Sequence, residues 1–159
     1  SYTSVLKALM RSNKDEDAKK ALALLRHMQE RGGSIRPNTV AYACVIHALA
    51  QRGWAQMAQH VLDSTMDDPY AKPDVISFTS VVDAWAKHGN GGGALEALAL
   101  LQRMKEMARN GNKHVAPNAK TYCTVLSALA KSGTQQHADL AQDVLMASSS
   151  SDCCCCNVA

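Results

Sequence analysis

The residues best equipped for chemistry in this chain are its cysteines, histidines and acids, together with one glycine run. Cys44 and Cys123 stand alone, and Cys153 to Cys156 are consecutive, a spacing in which neighbouring thiols do not jointly satisfy disulfide or tetrahedral metal geometry. His27, His47, His60, His88, His114 and His137 are scattered, with no His-Glu-x-x-His pair and no paired cysteine ligands. Gly89-Asn90-Gly91-Gly92-Gly93 has the composition of a phosphate-binding loop, but it follows a helical pattern and lacks the Gly-Lys-Ser/Thr ending, so it reads as a helix stop. Asp15, Glu16, Asp17, Asp67 and Asp68 fall in loops and at helix starts, where the helix dipole favours acids, and do not converge on a pocket. No catalytic constellation, metal site, cofactor or small-molecule substrate is expected, and the chain reads as a non-enzyme.

The elements that would position these residues emerge from self-similarity. Ser77-Phe78-Thr79-Ser80-Val81-Val82-Asp83-Ala84-Trp85-Ala86-Lys87 is echoed 44 residues later by Thr121 to Lys131, and earlier by Ala41 to Gln51 and Ser1 to Leu9. Tyr2, Tyr42, Phe78 and Tyr122 each open an apolar stripe at helical spacing, for example Tyr42, Val45, Ile46, Leu49 and Tyr122, Val125, Leu126, Leu129. Asn13, Gly53, Gly89 and Gly133 stand at the matching helix stops. Second stripes follow, such as Ala58, Val61, Leu62, Thr65 and Ala97, Leu100, Leu101, Met104, with a further one ending at Ser148. Pro37, Pro73 and Pro117 close the connections and start the next helix. The segment from Met104 to Pro117 reads as a longer, polar and flexible linker.

One hairpin cannot bury both of its stripes, whereas a stack can. The expected fold is therefore all-α, an α-solenoid of about four helix-turn-helix repeats whose first helices line a concave face: residues 1–38, 39–74, 75–118 with loop insertions, and 119–148. Ala8, Ala48, Ala84 and Ala128 occupy equivalent places suited to close helix approach. Residues 149–159 form a Ser/Cys-rich tail expected to be disordered, with lipid attachment or metal binding at its cysteines as alternatives. No segment reaches the roughly 20 apolar residues needed to span a bilayer, and no membrane partner is expected. A net charge of +3 and a pI near 8.5 permit nucleic-acid binding without the dense basic content of a protein that coats duplex DNA.

Aromatic, apolar stripe, Ala-Lys-x-Gly, Ala-x-x-Leu-Leu-x-x-Met, then a connection ending Pro-Asn or Pro-Asp, is a pattern that resembles the pentatricopeptide repeat family, P-type-like, over nearly the whole chain to about residue 148. Tetratricopeptide repeats, with Trp-Leu-Gly-x-x-Tyr openings and a 34-residue period, fit less well. The resemblance implies a right-handed superhelix that binds single-stranded RNA at one base per repeat. It implies base recognition by the residue after each aromatic paired with the residue after each proline: Thr3 with Asn38, Ala43 with Asp74, Thr79 with Asn118, and Cys123 without a partner. It further implies apolar wedges between bases at Val40 and Ile76, with Lys120 a departure, and phosphate contacts at Arg11, Lys87 and Lys131, with Gln51 a departure. Asn or Asp after proline is equally an ordinary helix N-cap, and Thr in a first turn is unremarkable.

With the RNA parallel to the chain, the code implied by the resemblance is 5′-A-(G/U)-A-3′. The implied role is an adaptor in organellar RNA processing, stability, editing or translation, in a mitochondrion or chloroplast, acting with other RNA-processing proteins. A helical scaffold for protein partners and the targeting segment of a larger RNA-processing enzyme are the alternatives. The segment is expected to belong to a longer array with an exposed apolar end. Leu100 and Leu126 are expected in the core, and replacement of Thr79 is expected to cost little stability.

Overall fold

The computed structural model describes residues 2–12, 14–87, 92–133 and 135–148. Asn13, His88, Gly89 to Gly91 and the tail 149–159 lie outside the described residues, as do the side chains of His137 and Ser148. Eight α-helices occur among them: α1 (Tyr2–Arg11), α2 (Asp15–Arg31), α3 (Thr39–Gln51), α4 (Ala55–Asp67), α5 (Val75–Lys87), α6 (Gly92–Arg109), α7 (Ala119–Ser132) and α8 (Gln135–Ser148). They pair as antiparallel hairpins and stack, so the fold is an all-α solenoid.

The stripes explain why these segments are helices and which faces they bury. Tyr42, Val45, Ile46 and Leu49 of α3 and Phe78, Val81 and Val82 of α5 are all buried, and Ala58, Val61, Leu62 of α4 and Ala97, Leu100, Leu101, Met104 of α6 close the core from the other side. Each large apolar side chain so buried contributes about 1.5–3 kcal/mol. Helices α3, α5 and α7 begin two residues after Pro37, Pro73 and Pro117. Gly53 and Gly133 end their first helices at φ +73° and +65°, the left-handed region that other residues occupy with strain.

The two rows of helices pack differently. First helices touch their neighbours in an unbroken row, α1 on α3, α3 on α5 and α5 on α7, and α2, α4 and α6 each touch their own partner and the first helix of the next repeat. Ala48, Ala84 and Ala128 are buried in that row, while Ala8 is exposed. The second helices stand apart, leaving a hollow of about 240 Å³ between α2 and α4 bordered by Leu22, Leu25, Met57 and Val61. Direct packing of first helix on first helix, beside second helices that reach their neighbours only through first helices, makes the first helices the inner row.

Three expectations are corrected in detail. Gly92 and Gly93 belong to the first turn of α6, with Gly93 buried, so the glycine run is not a loop throughout. The linker after Met104 is not a free connection: α6 continues to Arg109, and a 3₁₀ turn at Lys113–Val115 buries Val115 in the core, with the Asn112 N–H donating to the Met107 carbonyl at 3.0 Å. Leu126 of α7, expected in the core, is only half-buried, whereas α1 buries Leu6 and leaves Tyr2 42 % and Val5 50 % exposed, the exposed apolar end that was expected.

Candidate nucleic-acid interface

Each residue after a connection proline caps the following helix. Asn38 Oδ1 accepts from the Ala41 N–H at 2.9 Å. Asp74 Oδ1 accepts from the Ser77 N–H at 2.9 Å and from the Ser77 hydroxyl at 2.7 Å. Asn118 Oδ1 accepts from the Thr121 N–H and the Thr121 hydroxyl, both at 2.9 Å, and Thr121 Oγ1 accepts in return from the Asn118 N–H at 3.4 Å, a reciprocal capping box. Capping engages only one end of each side chain. An amide whose oxygen faces the backbone directs its Nδ2 donors away from the helix, and a carboxylate so engaged keeps its second oxygen as an acceptor.

These caps border the inner row of helices. Ile76, Thr79, Ser80 and Asp83 of α5 face His47, Ala50 and Gln51 of α3 across a hollow of about 260 Å³, and Asn118 and Lys120 at the start of α7 close it. The structure thus brings together Ile76, Thr79 and Asn118 from opposite ends of a repeat. A second hollow of about 820 Å³ lies between α1 and α3, bordered by Lys7, Arg11, Cys44, His47 and Gln51. His47 and Gln51 border both, and their side chains meet at 3.0 Å.

The charge along this face is uneven. Lys7 and Arg11 make the α1 end cationic, whereas Lys87 Nζ is held by Asp83 Oδ2 at 2.7 Å. Burial pushes the Cys44 thiol up, partly offset by the positive charge of Lys7, so the thiol stays protonated. Behind the last first helix, the Lys105 ammonium sits 5.2 Å from the Tyr122 ring centre, and burial together with Arg109 lowers its pKa.

The other candidate residues are distributed along the same row. Val40 and Ile76, in the first turns of α3 and α5, are exposed by 46 % and 64 %. Asn38 and Asn118 are exposed at their caps, Asp74 is half-buried at its own, and Thr3, Ala43 and Cys123 are half-buried on their helices. Thr79 is only 7 % exposed, its hydroxyl donating to the Val75 carbonyl at 2.6 Å and lying 3.1 Å from Thr121 Oγ1. Its proton is therefore turned into the protein, and its replacement is expected to cost more stability than a free surface threonine would. Lys131 is exposed late in α7.

Sequence reasoning did not place Lys7, His47 and Asp83 in the interface, although they border the hollows. They stand four residues after Thr3, Ala43 and Thr79, one turn further along the same helix faces, so the i, i+4 rule was the available signal. Among the described residues, no three His, Cys, Asp or Glu side chains gather as metal ligands, and no helix is long and apolar enough to cross a membrane.

Fold and face together define a helical-hairpin repeat protein with a polar inner groove. Residues 76–108, which span most of α5 and α6, match the family model described as PPR repeat. A chloroplastic pentatricopeptide repeat-containing protein of Arabidopsis thaliana is 30 % identical over 117 residues, 74 % of this chain and 14 % of that protein. Pentatricopeptide repeat-containing protein 10, chloroplastic, of Zea mays is 34 % identical over 131 residues, 82 % of this chain and 15 % of that protein. The chain spans about one seventh of the length of these relatives.

Proposed function

We propose that this chain is a stretch of a P-type-like pentatricopeptide repeat array that binds single-stranded RNA along its inner groove, one base per repeat, without catalysis of its own. The observation that carries this reading is the hollow in which Ile76, Thr79 and Asn118 converge. An exposed isoleucine in a first turn gains nothing for the fold, whereas beside a base it offers an apolar face to pack against, and Val40 repeats the arrangement one unit earlier. Asn118 supplies outward donors, and Lys7 and Arg11 supply charge for phosphates.

The pairs Thr3/Asn38, Ala43/Asp74 and Thr79/Asn118 then read 5′-A-(G/U)-A-3′. The amides present donors to adenine ring nitrogens, and the free Asp74 oxygen accepts from guanine or uracil imino groups. The working role is an adaptor for organellar RNA processing, stability, editing or translation. The word chloroplastic in both relatives' names favours the plastid over the mitochondrion. Selection from a randomised single-stranded RNA pool tests the reading: enrichment of that triplet supports it, and recovery of unrelated sequences or of none rejects it.

A second reading, a scaffold for a protein partner, is favoured by the hollow between α2 and α4, where Met57, 42 % exposed, lies with Leu22 and Val61 among Arg26, Gln56 and His60. It uses the outer row, so it predicts that substitutions at Met57 impair function while Asn118 tolerates change.

A further inference from the structure

The three capping residues are not held alike, and the difference lies in the residue three places further on. Asn118 Oδ1 receives two hydrogen bonds from Thr121, one from its backbone and one from its hydroxyl. A carbonyl oxygen has two lone pairs, so this one is saturated. Asn38 Oδ1 receives only the Ala41 N–H, because alanine has no hydroxyl to give, and one lone pair stays open. Thr121 is fully buried, and its oxygen accepts in return from the Asn118 N–H at 3.4 Å, with the Thr79 oxygen packed beside it.

Resting on the RNA-binding reading, we infer that Thr121 is a specificity-determining positioning residue: its hydroxyl saturates the Asn118 carbonyl, so that this amide meets a base with donors alone. A donor-only amide pairs with the ring acceptors of adenine or cytosine and cannot accept from the imino protons of guanine or uracil. Asn38, with an open lone pair, can turn a donor or an acceptor toward its base. The third repeat therefore rejects guanine and uracil more strongly than the first, although both carry the same Thr/Asn pair.

The test is binding of the protein to a selected oligoribonucleotide carrying each of the four bases at the position read by the third repeat, and separately at the first. Thr121→Val keeps shape and the backbone cap while removing the hydroxyl, and it should reduce discrimination against guanine and uracil at the third base about tenfold, the worth of one hydrogen bond. Thr121→Ser should retain the wild-type preference, which a purely structural loss would not distinguish. The reciprocal variant Ala41→Ser supplies the missing hydroxyl and should sharpen the first base, so the inference stays testable should Thr121→Val fold poorly. Unchanged third-base discrimination in folded Thr121→Val, or an unchanged first base in Ala41→Ser, overturns it. A wild-type protein that binds RNA but is indifferent to both bases overturns the base-reading itself and this inference with it.

Discussion

Helix α5 has two faces made under opposite rules. Toward the core it presents Phe78, Val81 and Val82, all with no measurable exposure, and toward the groove it presents Ile76 at 64 % exposure beside Ser80 and the Asp83–Lys87 ion pair. The first face follows the transfer of apolar surface from water, which alone accounts for the stack. The second face breaks that rule with an exposed β-branched residue and a carboxylate placed among candidate phosphate contacts. Stability does not require such a surface, and it is the one that the proposed RNA would cover. The buried face should therefore govern folding and the groove face binding, with little cross-talk except at the caps, where the two meet.

The largest effect that separates the faces is expected at Leu101, which has no exposure: Leu101→Ala should cost about 2–5 kcal/mol in denaturant unfolding. Asn118→Ala sits at the boundary and should cost roughly 0.5–2 kcal/mol through loss of the cap of α7 while also weakening RNA binding. Tyr42 gives a pH-dependent effect on the core side. Burial, with the acceptor Asp68 Oδ2 at 2.9 Å, raises its phenol from the ordinary value of 10.0 to about 12. The folded protein thus retains a proton that the unfolded chain gives up, so stability is full below about pH 10 and falls as pH rises toward 12. Tyr42→Phe should remove that slope from an alkaline unfolding series, and a slope that persisted would assign it to another group.

Smaller effects probe the groove. Asp83→Asn frees Lys87, and RNA affinity should rise a few-fold at low salt, with a salt dependence steeper by roughly one phosphate contact. Ile76→Ser should shift stability by no more than about 0.5 kcal/mol while lowering RNA affinity. If instead it destabilised the protein as Leu101→Ala does, the contrast between the two faces would collapse.

The sequence made the core side legible and the groove side less so, for a physical reason. Apolar periodicity marks Tyr42, Val45, Ile46 and Leu49 because burial repeats in every unit, and Pro37, Pro73 and Pro117 mark helix starts because they fix φ locally. What depended on a particular distant partner could not be read. Thr79 looks like any first-turn threonine until Thr121, 42 residues away, is seen beside it. Arg52 is the same kind of case: its guanidinium donates to the carbonyls of Ala48, Ser12 and Lys14 at 2.8–2.9 Å and lies 3.5 Å from Asp15, tying α3 to the first hairpin. The other repeats hold no arginine at that place, so no periodic signal announced it. The start of α6 at Gly92 was missed because glycine propensity argues for a loop, while packing of Gly93 against the core overrides it.

The most direct test of the groove as an RNA reader is Asn118→Asp. Aspartate caps a helix as well as asparagine does, so α7 and the fold should be undisturbed. The outward amide donors are replaced by an acceptor, and the base preferred at the third position should move from adenine to guanine. Binding would be measured on oligoribonucleotides that differ only in that base, with the wild-type protein alongside. A switch to guanine with an unchanged melting temperature is the predicted result. A wild-type preference for adenine that persisted unchanged in the variant would contradict the account and leave Asn118 as a helix cap alone.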